Sequence, residues 1–376
     1  MKILNTCFLL LFFLMLALPL AFIDFSSERV SVQENRMLTD HPKLADIRNN
    51  PETFVKDFDA WFKDSIGFRN ELISLYKAVN KKRLGNIVHY TDGQYTYLIG
   101  EQGHHYFAYE GGILISKFQG KKFLSDKQLS NIAAKLEEVK AYLDSKGIPF
   151  IVMFCTDKES IYPEFYPKSI KQGPEPIQVD VITEYFQTHT SVDIFNIRQA
   201  LVTEKNKYLL YNVSSDDLAH YNEIGAFFAY RELMNHINKY FPQITPYGLG
   251  DIEIIFNENG TPYVILKSGY TYKKFDSSFF DNIDVKRPFT DENHAYENKN
   301  SDLPVVLVLG DSYAQEYYIG KYIAQQFGKA IFINFTNLSN IREYINYFKP
   351  DIVIFESAER ELSRFADSVI GIPELP

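Results

Sequence analysis

From Pro304 onward the chain alternates short apolar runs with helix-period segments, and this constrains the fold more than any other feature. Strands are expected at 305–309, 330–334 and 351–356, with helices running to Phe327 and near 341–347. The run Val305-Val306-Leu307-Val308-Leu309 is apolar at every position, so both of its faces must be covered. That demand is met by a parallel sheet with helices on each side. The same grammar starts earlier. Ser125 and Gln128 form a capping-box pattern, and Leu129, Ile132, Leu136, Val139 and Leu143 make a helical stripe that Gly147 stops. An apolar strand follows at 149–154, a second short strand at 191–197, and a helix after Asn222 carrying Phe227, Tyr230, Met234 and Ile237. Two strands at 252–256 and 263–266 flank Asn259-Gly260, a hairpin signal that reads as an insertion.

The N-terminus has a different character. Lys2 precedes a nearly unbroken apolar run from Cys7 to Ile23, and Asp24 and polar residues follow. Residues 1–24 therefore read as a signal anchor or signal peptide, with the remainder outside the cytoplasm. Residues 25–84 form an extension whose helix is expected over 51–83, with Phe54, Phe58, Trp61 and Phe62 on one face. A break near Gly67 precedes Leu72, Leu75 and Val79. Short strands and turns are expected around 90–112, and residues 85–376 read as a single catalytic domain.

Composition excludes some classes. The 376 residues carry a formal charge of -9, and no basic stripe offers a surface for nucleic acid. The two cysteines, Cys7 and Cys155, give no disulfide framework and no thiolate metal site. His104 and His105 are adjacent, so in a strand they point apart, and no carboxylate cluster accompanies them. Neither a metal nor a cofactor is expected.

The chemistry-bearing candidate is Gly310-Asp311-Ser312-Tyr313, where the apolar strand meets a helix. Ser312 there lies at the carboxyl end of a parallel strand, where open α/β sheets bind ligands. The free N–H groups of a helix start also suit a developing oxyanion. Gly310 gives the backbone room to turn. A serine nucleophile needs a base, and the base needs an orienting acid. His220 has Asp217 three residues before it, with Asp216 as the rival acid. Lys158 follows the 149–154 strand and Arg360 follows the 351–356 strand, so both reach the same end of the sheet.

Together these blocks resemble the SGNH (GDSL-type) hydrolase superfamily, which pairs a Gly-Asp-Ser block with Asp-x-x-His. Here the acid–base block at 217–220 precedes the serine block at 310–313. That order is similar to the circularly permuted alginate O-acetyltransferase (AlgJ/AlgX-like) group and the related DHHW proteins. Further segments match that group. They are Glu34-Asn35-Arg36 with Pro42, the stretch from Phe58 to Gly67-Phe68-Arg69, Asp157-Lys158-Glu159-Ser160-Ile161-Tyr162-Pro163-Glu164, and Lys349-Pro350-Asp351 through Glu359-Arg360. The group carries its acid two residues before the histidine and a tryptophan after it. This chain has Leu218 and Tyr221 at those positions.

The resemblance implies an SGNH-like parallel sheet flanked by helices, and an O-acetyltransferase acting on an exported polysaccharide. It implies Ser312 as nucleophile, His220 as base and Asp217 as acid, with Gly310, Tyr313, Tyr221, Lys158 and Arg360 near substrate or oxyanion. It also implies an MBOAT-type membrane donor protein and a periplasmic or other extracytoplasmic setting at the inner membrane. A carbohydrate acetylesterase with the same triad, and a non-catalytic glycan-binding subunit, are the alternatives.

Overall fold

The computed structural model describes residues 2–27, 30–31, 36–43, 47, 51–72, 74–75, 86–89, 96–108, 113–214, 217, 219–258, 260–283, 293–300 and 302–376. Two compact units divide the chain: residues 1–99 with 108–111, and residues 100–107 with 112–376.

The first unit contains α1 (Lys2–Ala21), the antiparallel pair β1 (Val30–Ser31) and β2 (Arg36–Met37), α2 (Pro51–Ser65), and the antiparallel pair β3 (Asn86–His89) and β4 (Thr96–Ile99). Along α2, Phe58 meets Phe54, Trp61 and Phe62 at ring-centroid distances of 6.1, 5.4 and 6.3 Å, so the aromatic stripe packs upon itself. The expected helix over 51–83 breaks after Ser65. Gly67 lies against Phe22, where a Cβ would come within 2.6 Å of the phenylalanine Cβ, and Phe68 takes φ 58°. Val79 and the neighbouring residues lie outside the described ones. Among the described residues no helix is long and apolar enough to cross a membrane.

The second unit begins with β5 (His105–Phe107), α3 (Ile113–Phe118), α4 (Asp126–Asp144) and β6 (Phe150–Cys155). It continues with α5 (Lys158–Ile161), α6 (Gln178–His189), β7 (Asp193–Asn196), α7 (Arg198–Glu204) and α8 (Glu223–Ile237). Next come β8 (Ile252–Phe256), β9 (Pro262–Leu266), β10 (Tyr272–Lys274), β11 (His294–Asn298) and β12 (Val305–Gly310). The unit ends with α9 (Lys321–Gln326), β13 (Lys329–Asn334), α10 (Ile341–Phe348), β14 (Ile352–Ala358) and α11 (Leu362–Ile370). Seven strands make the central sheet, in the order β10–β11–β13–β12–β14–β6–β7. The five from β13 to β7 are parallel, and β11 and β10 add antiparallel edges.

Side chains alternate across a strand, so each inner strand feeds two cores. Val306, Val308, Ile151 and Met153 pack with Phe227, Tyr230 and Met234 of α8. Leu307, Leu309, Val152 and Phe154 pack with α4, α6, α10 and α11 through Leu136, Phe186, Ile345 and Phe365. The expected α/β class and helix-flanked parallel sheet are therefore the observed architecture. The capping box of α4 is present with both halves, and Gly147 takes φ +70° where that helix stops. The hairpin β8–β9 lies apart from the main sheet as an antiparallel pair.

Two expectations change. The helix through Phe327 does not start at the serine. A 3₁₀ turn (Ser312–Ala314) and a π-helical turn (Glu316–Gly320) precede α9, because the Gln315 carbonyl accepts the amides of both Tyr318 and Gly320 at 3.0 and 3.1 Å. The sheet also has the edge strand β10 and its neighbour β11, whose lysine-bearing and polar sequences hide them from a search for apolar runs.

The placement of α8 is tight. Gly225 in its first turn sits against the Leu210 carbonyl, and an added Cβ would also meet Tyr221 Cβ at 2.7 Å. Neither neighbour is a flexible side-chain end. Gly225→Ala is therefore expected to lower unfolding free energy by about 1–3 kcal/mol. A thermal melt followed by circular dichroism checks this, and an unchanged midpoint would contradict the packing described.

Candidate active site

The carboxyl ends of β12, β14 and β6 are neighbours, so the residues that follow them converge. Gly310 ends β12. Its backbone is not in the left-handed region. What it supplies is space, since a Cβ there would lie 2.7 Å from Glu356 Oε2 and 3.1 Å from Ala314 Cβ. The reason for a glycine is thus close approach to β14 rather than a sharp turn. Asp311 then fastens the corner. Its amide donates to Glu356 Oε2 at 2.9 Å, and its carboxylate accepts the amides of Tyr313 at 3.0 Å and Ala358 at 2.7 Å.

Ser312 begins the 3₁₀ turn. Its hydroxyl lies 2.7 Å from His220 Nε2. His220 Nδ1 in turn lies 2.9 and 3.1 Å from the two oxygens of Asp217. The Asp217 carboxylate also accepts the amides of Ala219 and His220, each at 3.2 Å, so the acid braces the loop that carries the histidine. Burial opposes ionisation of Asp217. The hydrogen bond and charge of His220, together with the Tyr318 hydroxyl, still hold it below the usual carboxylate range. An ionised carboxylate only accepts, so Nδ1 carries the proton and Nε2 accepts from Ser312. The three groups form a continuous line, with the aspartate three residues before the histidine. The rival Asp216 lies outside the described residues.

Tyr318 was not among the expected site residues. Its hydroxyl donates to Asp217, and its ring lies over His220 with centroids 4.9 Å apart. The π-helical turn aims it, with φ −117° and ψ −123° at Tyr318 itself. Read as one regular helix from Ser312, the sequence gives no signal for this. Asp157, at the end of β6, was also unassigned. It accepts from Arg360 Nη1, which donates as well to the Ala219 carbonyl at 2.8 Å and to the Tyr313 hydroxyl at 3.1 Å. Arg360 Nη2 lies 3.3 Å from His220 Nε2, beside the serine hydroxyl.

The remaining expected residues divide. Tyr313 is buried and donates to the Ala219 carbonyl at 2.6 Å, while Tyr221, also buried, donates to the Tyr313 carbonyl at 2.8 Å. Both shape the corner from behind. Lys158 does not turn toward Ser312. Its ammonium donates to the carbonyls of His105, Asn212 and Val213 at 2.7, 2.6 and 3.1 Å, which uses all three of its protons. Burial, against the pull of Glu159, lowers that ammonium to about 7. The expected set of free amides at the turn is also narrower. The amides of Tyr313 and Ala314 are spent on Asp311, and only that of Ser312 lacks a partner among the described residues. His104 is buried and stacked on Phe165 at 4.2 Å.

Solved structures resemble this chain to different degrees. One of Bacillus cereus PatB1 with a sulfonyl adduct is 17% identical, with a TM-score of 0.53 over 71% of this chain and 95% of that one. The O-acetyltransferase domain of Pseudomonas putida AlgJ is 12% identical, with a TM-score of 0.44 over 73% and 98%. Pseudomonas aeruginosa AlgX is 11% identical, with a TM-score of 0.40 over 75% and 68%. No family model matches the chain, and no curated protein matches it in sequence. The likeness to PatB1 shows a common fold.

The acids around the site leave a signature in solution. Glu359 accepts the amide of Asp157 at 3.2 Å and the hydroxyl of Ser160 at 2.7 Å, and burial with the nearby Asp157 charge raises its carboxyl to about 7. A carboxyl raised in the folded state takes up a proton on folding. Its contribution to stability is complete below pH ~4.5 and declines as pH rises to about 7. Denaturant titrations between those values should show that decline in the parent and a shallower one in E359Q. Equal slopes would refute the burial assigned to Glu359.

Proposed function

We propose that this chain is a serine-dependent O-acetyltransferase acting on an exported polysaccharide, with residues 85–376 as its catalytic domain. The observation that carries the reading is the line from Asp217 through His220 to the Ser312 hydroxyl. Tautomer, order and distances suit general-base activation of an alcohol.

In the first half-reaction His220 Nε2 takes the Ser312 proton as Oγ attacks the acetyl carbonyl of the donor. The negative charge on the carbonyl oxygen meets the Ser312 amide and the Arg360 guanidinium, whose Nη2 already lies beside Nε2. His220 returns its proton to the departing group, which leaves an acetyl ester on Ser312. In the second half-reaction His220 deprotonates a sugar hydroxyl, which attacks that ester, and the proton passes back to Ser312. Asp217 stabilises the imidazolium in both halves, and Tyr318 fixes the acid. Gly310, Asp311, Tyr313 and Tyr221 set the position of the corner.

Acetyl as the group, a polysaccharide as the acceptor and the permuted block order rest on the motif resemblance to the alginate O-acetyltransferase group. An MBOAT-type membrane protein as donor belongs to the same proposal. So do export to the periplasm or beyond and anchoring at the inner membrane by residues 1–24. The apolar run from Cys7 to Ile23 supports export, and the anchoring part rests on the sequence alone.

The test uses 4-nitrophenyl acetate, an acetylated intact-mass readout and an oligosaccharide acceptor. The parent protein should gain a single acetyl group on Ser312, pass it to the oligosaccharide, and lose uptake in Ser312→Ala. Asp217→Asn should slow uptake by at least about 100-fold. Acetate release at a rate indifferent to any acceptor would favour an esterase. Glycan binding that survives loss of both Ser312 and His220, with no acetyl uptake by the parent, would favour a binding subunit.

A further inference from the structure

A second cavity, of about 320 Å³, lies within the same unit and is lined by none of Ser312, His220 and Asp217. Its size is roughly twice that of an engineered ~150 Å³ apolar cavity that admits benzene, and it falls at the low end of small-molecule sites. The walls are apolar and come from Phe118, Leu124, Leu129, Ile182 and Tyr185. The Gly173 amide holds one side shut by donating to the Phe118 carbonyl at 2.8 Å.

The polar groups of the cavity are few and mostly committed. Lys122 and Asp126 are exposed and face each other at 3.8 Å. Lys117 is buried, donates to the Glu359 carbonyl at 2.6 Å, and sits 3.9 Å from the centre of the Phe123 ring. The Glu359 side chain accepts from Asp157 and Ser160. That leaves Glu159. It lines the cavity, is 5% exposed, and its carboxyl takes no hydrogen bond from another of the described residues. Among the lining groups two cations, Lys117 and Lys122, stand against three acids, Asp126, Glu159 and Glu359. The Lys117 charge acts on Glu159 and Glu359 alike, but its ammonium bonds a main-chain carbonyl, so it leaves the Glu159 carboxyl without a hydrogen-bonded cation among the described residues. Burying a charge without a partner is costly, so the group stays neutral until one arrives. Burial and the charges of Asp157 and Glu359 push its carboxyl well above the usual range, against the weaker pull of Lys117. Lys158, the other cation near Glu159, is spent on main-chain carbonyls outside the cavity.

We propose that this cavity binds a small amphiphilic amine, its apolar body against Phe118, Leu129 and Ile182 and its ammonium on the Glu159 carboxylate. The site lies back to back with the serine site across Glu359-Arg360. Glu359 faces the cavity, whereas Arg360 faces His220, and Asp157 contacts both.

The probes are 4-phenylbutylamine, 4-phenylbutanol and 4-phenylbutyrate, titrated calorimetrically into the full chain. The amine should bind at least about tenfold more tightly than the alcohol or the acid. Because a neutral Glu159 must ionise to meet it, binding should release about one proton, read from the dependence of heat on buffer ionisation. E159Q, checked for folding by its thermal melt, should bring the amine down to the level of the alcohol and abolish the proton release. Equal binding of all three probes, tighter binding of the acid, no binding by any, or E159Q indistinguishable from the parent would each overturn the proposal. If E159Q does not fold, the three-probe comparison and the proton count in the parent decide the matter.

Discussion

A guanidinium buried at the carboxyl end of the sheet holds the working parts in place. Arg360 is paired with Asp157, and their side chains are 6% and 3% exposed. The same group reaches the Ala219 carbonyl, the Tyr313 hydroxyl and His220 Nε2. One cation thus links the ends of β14 and β6 to the histidine loop and to the serine turn. Removing one partner of a buried pair leaves an uncompensated charge and costs roughly 3–5 kcal/mol. The sheet order makes the link possible, since β12, β14 and β6 lie side by side and deliver their next residues to one place.

Much of this was legible in the sequence because it rests on local patterning. The all-apolar strand 305–309 demanded a covered parallel sheet, the Ser125–Gln128 box started α4, and Asn222 capped α8 where its side chain accepts two amides. Asp217 and His220 were legible because an aspartate three residues before a histidine can brace that loop through its own backbone. Tyr318 was not legible. It depends on a π-helical turn, a departure from regular helix set by two amides sharing the Gln315 carbonyl. Asp157 and the true use of Lys158 were hidden for another reason, since their partners are more than fifty residues away in the chain. Edge strand β10 escaped because a charged, half-exposed strand lacks the apolar signal of inner ones, and β11 escaped because its buried positions include His294 and Asn298.

The acids at the carboxyl end of the sheet have a common logic. Asp311, Glu356 and Glu359 accept main-chain amides at the carboxyl ends of parallel strands, where the chain leaves the sheet and its N–H groups need partners. Each satisfies backbone and takes a raised affinity for protons in exchange. Glu159 differs, because it is buried like Glu356 and Glu359 yet accepts from no other of the described residues. That contrast separates carboxyls that build the corner from the one facing open space, and it makes the second cavity chemically distinct from the serine site.

The central claim is that Ser312, activated through His220 and Asp217, forms an ester intermediate. Rapid mixing with 4-nitrophenyl acetate tests it most directly, since an accumulating intermediate releases its first product ahead of turnover. The account predicts a burst of nitrophenol of about one equivalent per chain, abolished by Ser312→Ala. Release that is linear from the first instant, with acetyl uptake unchanged in that variant, would contradict it.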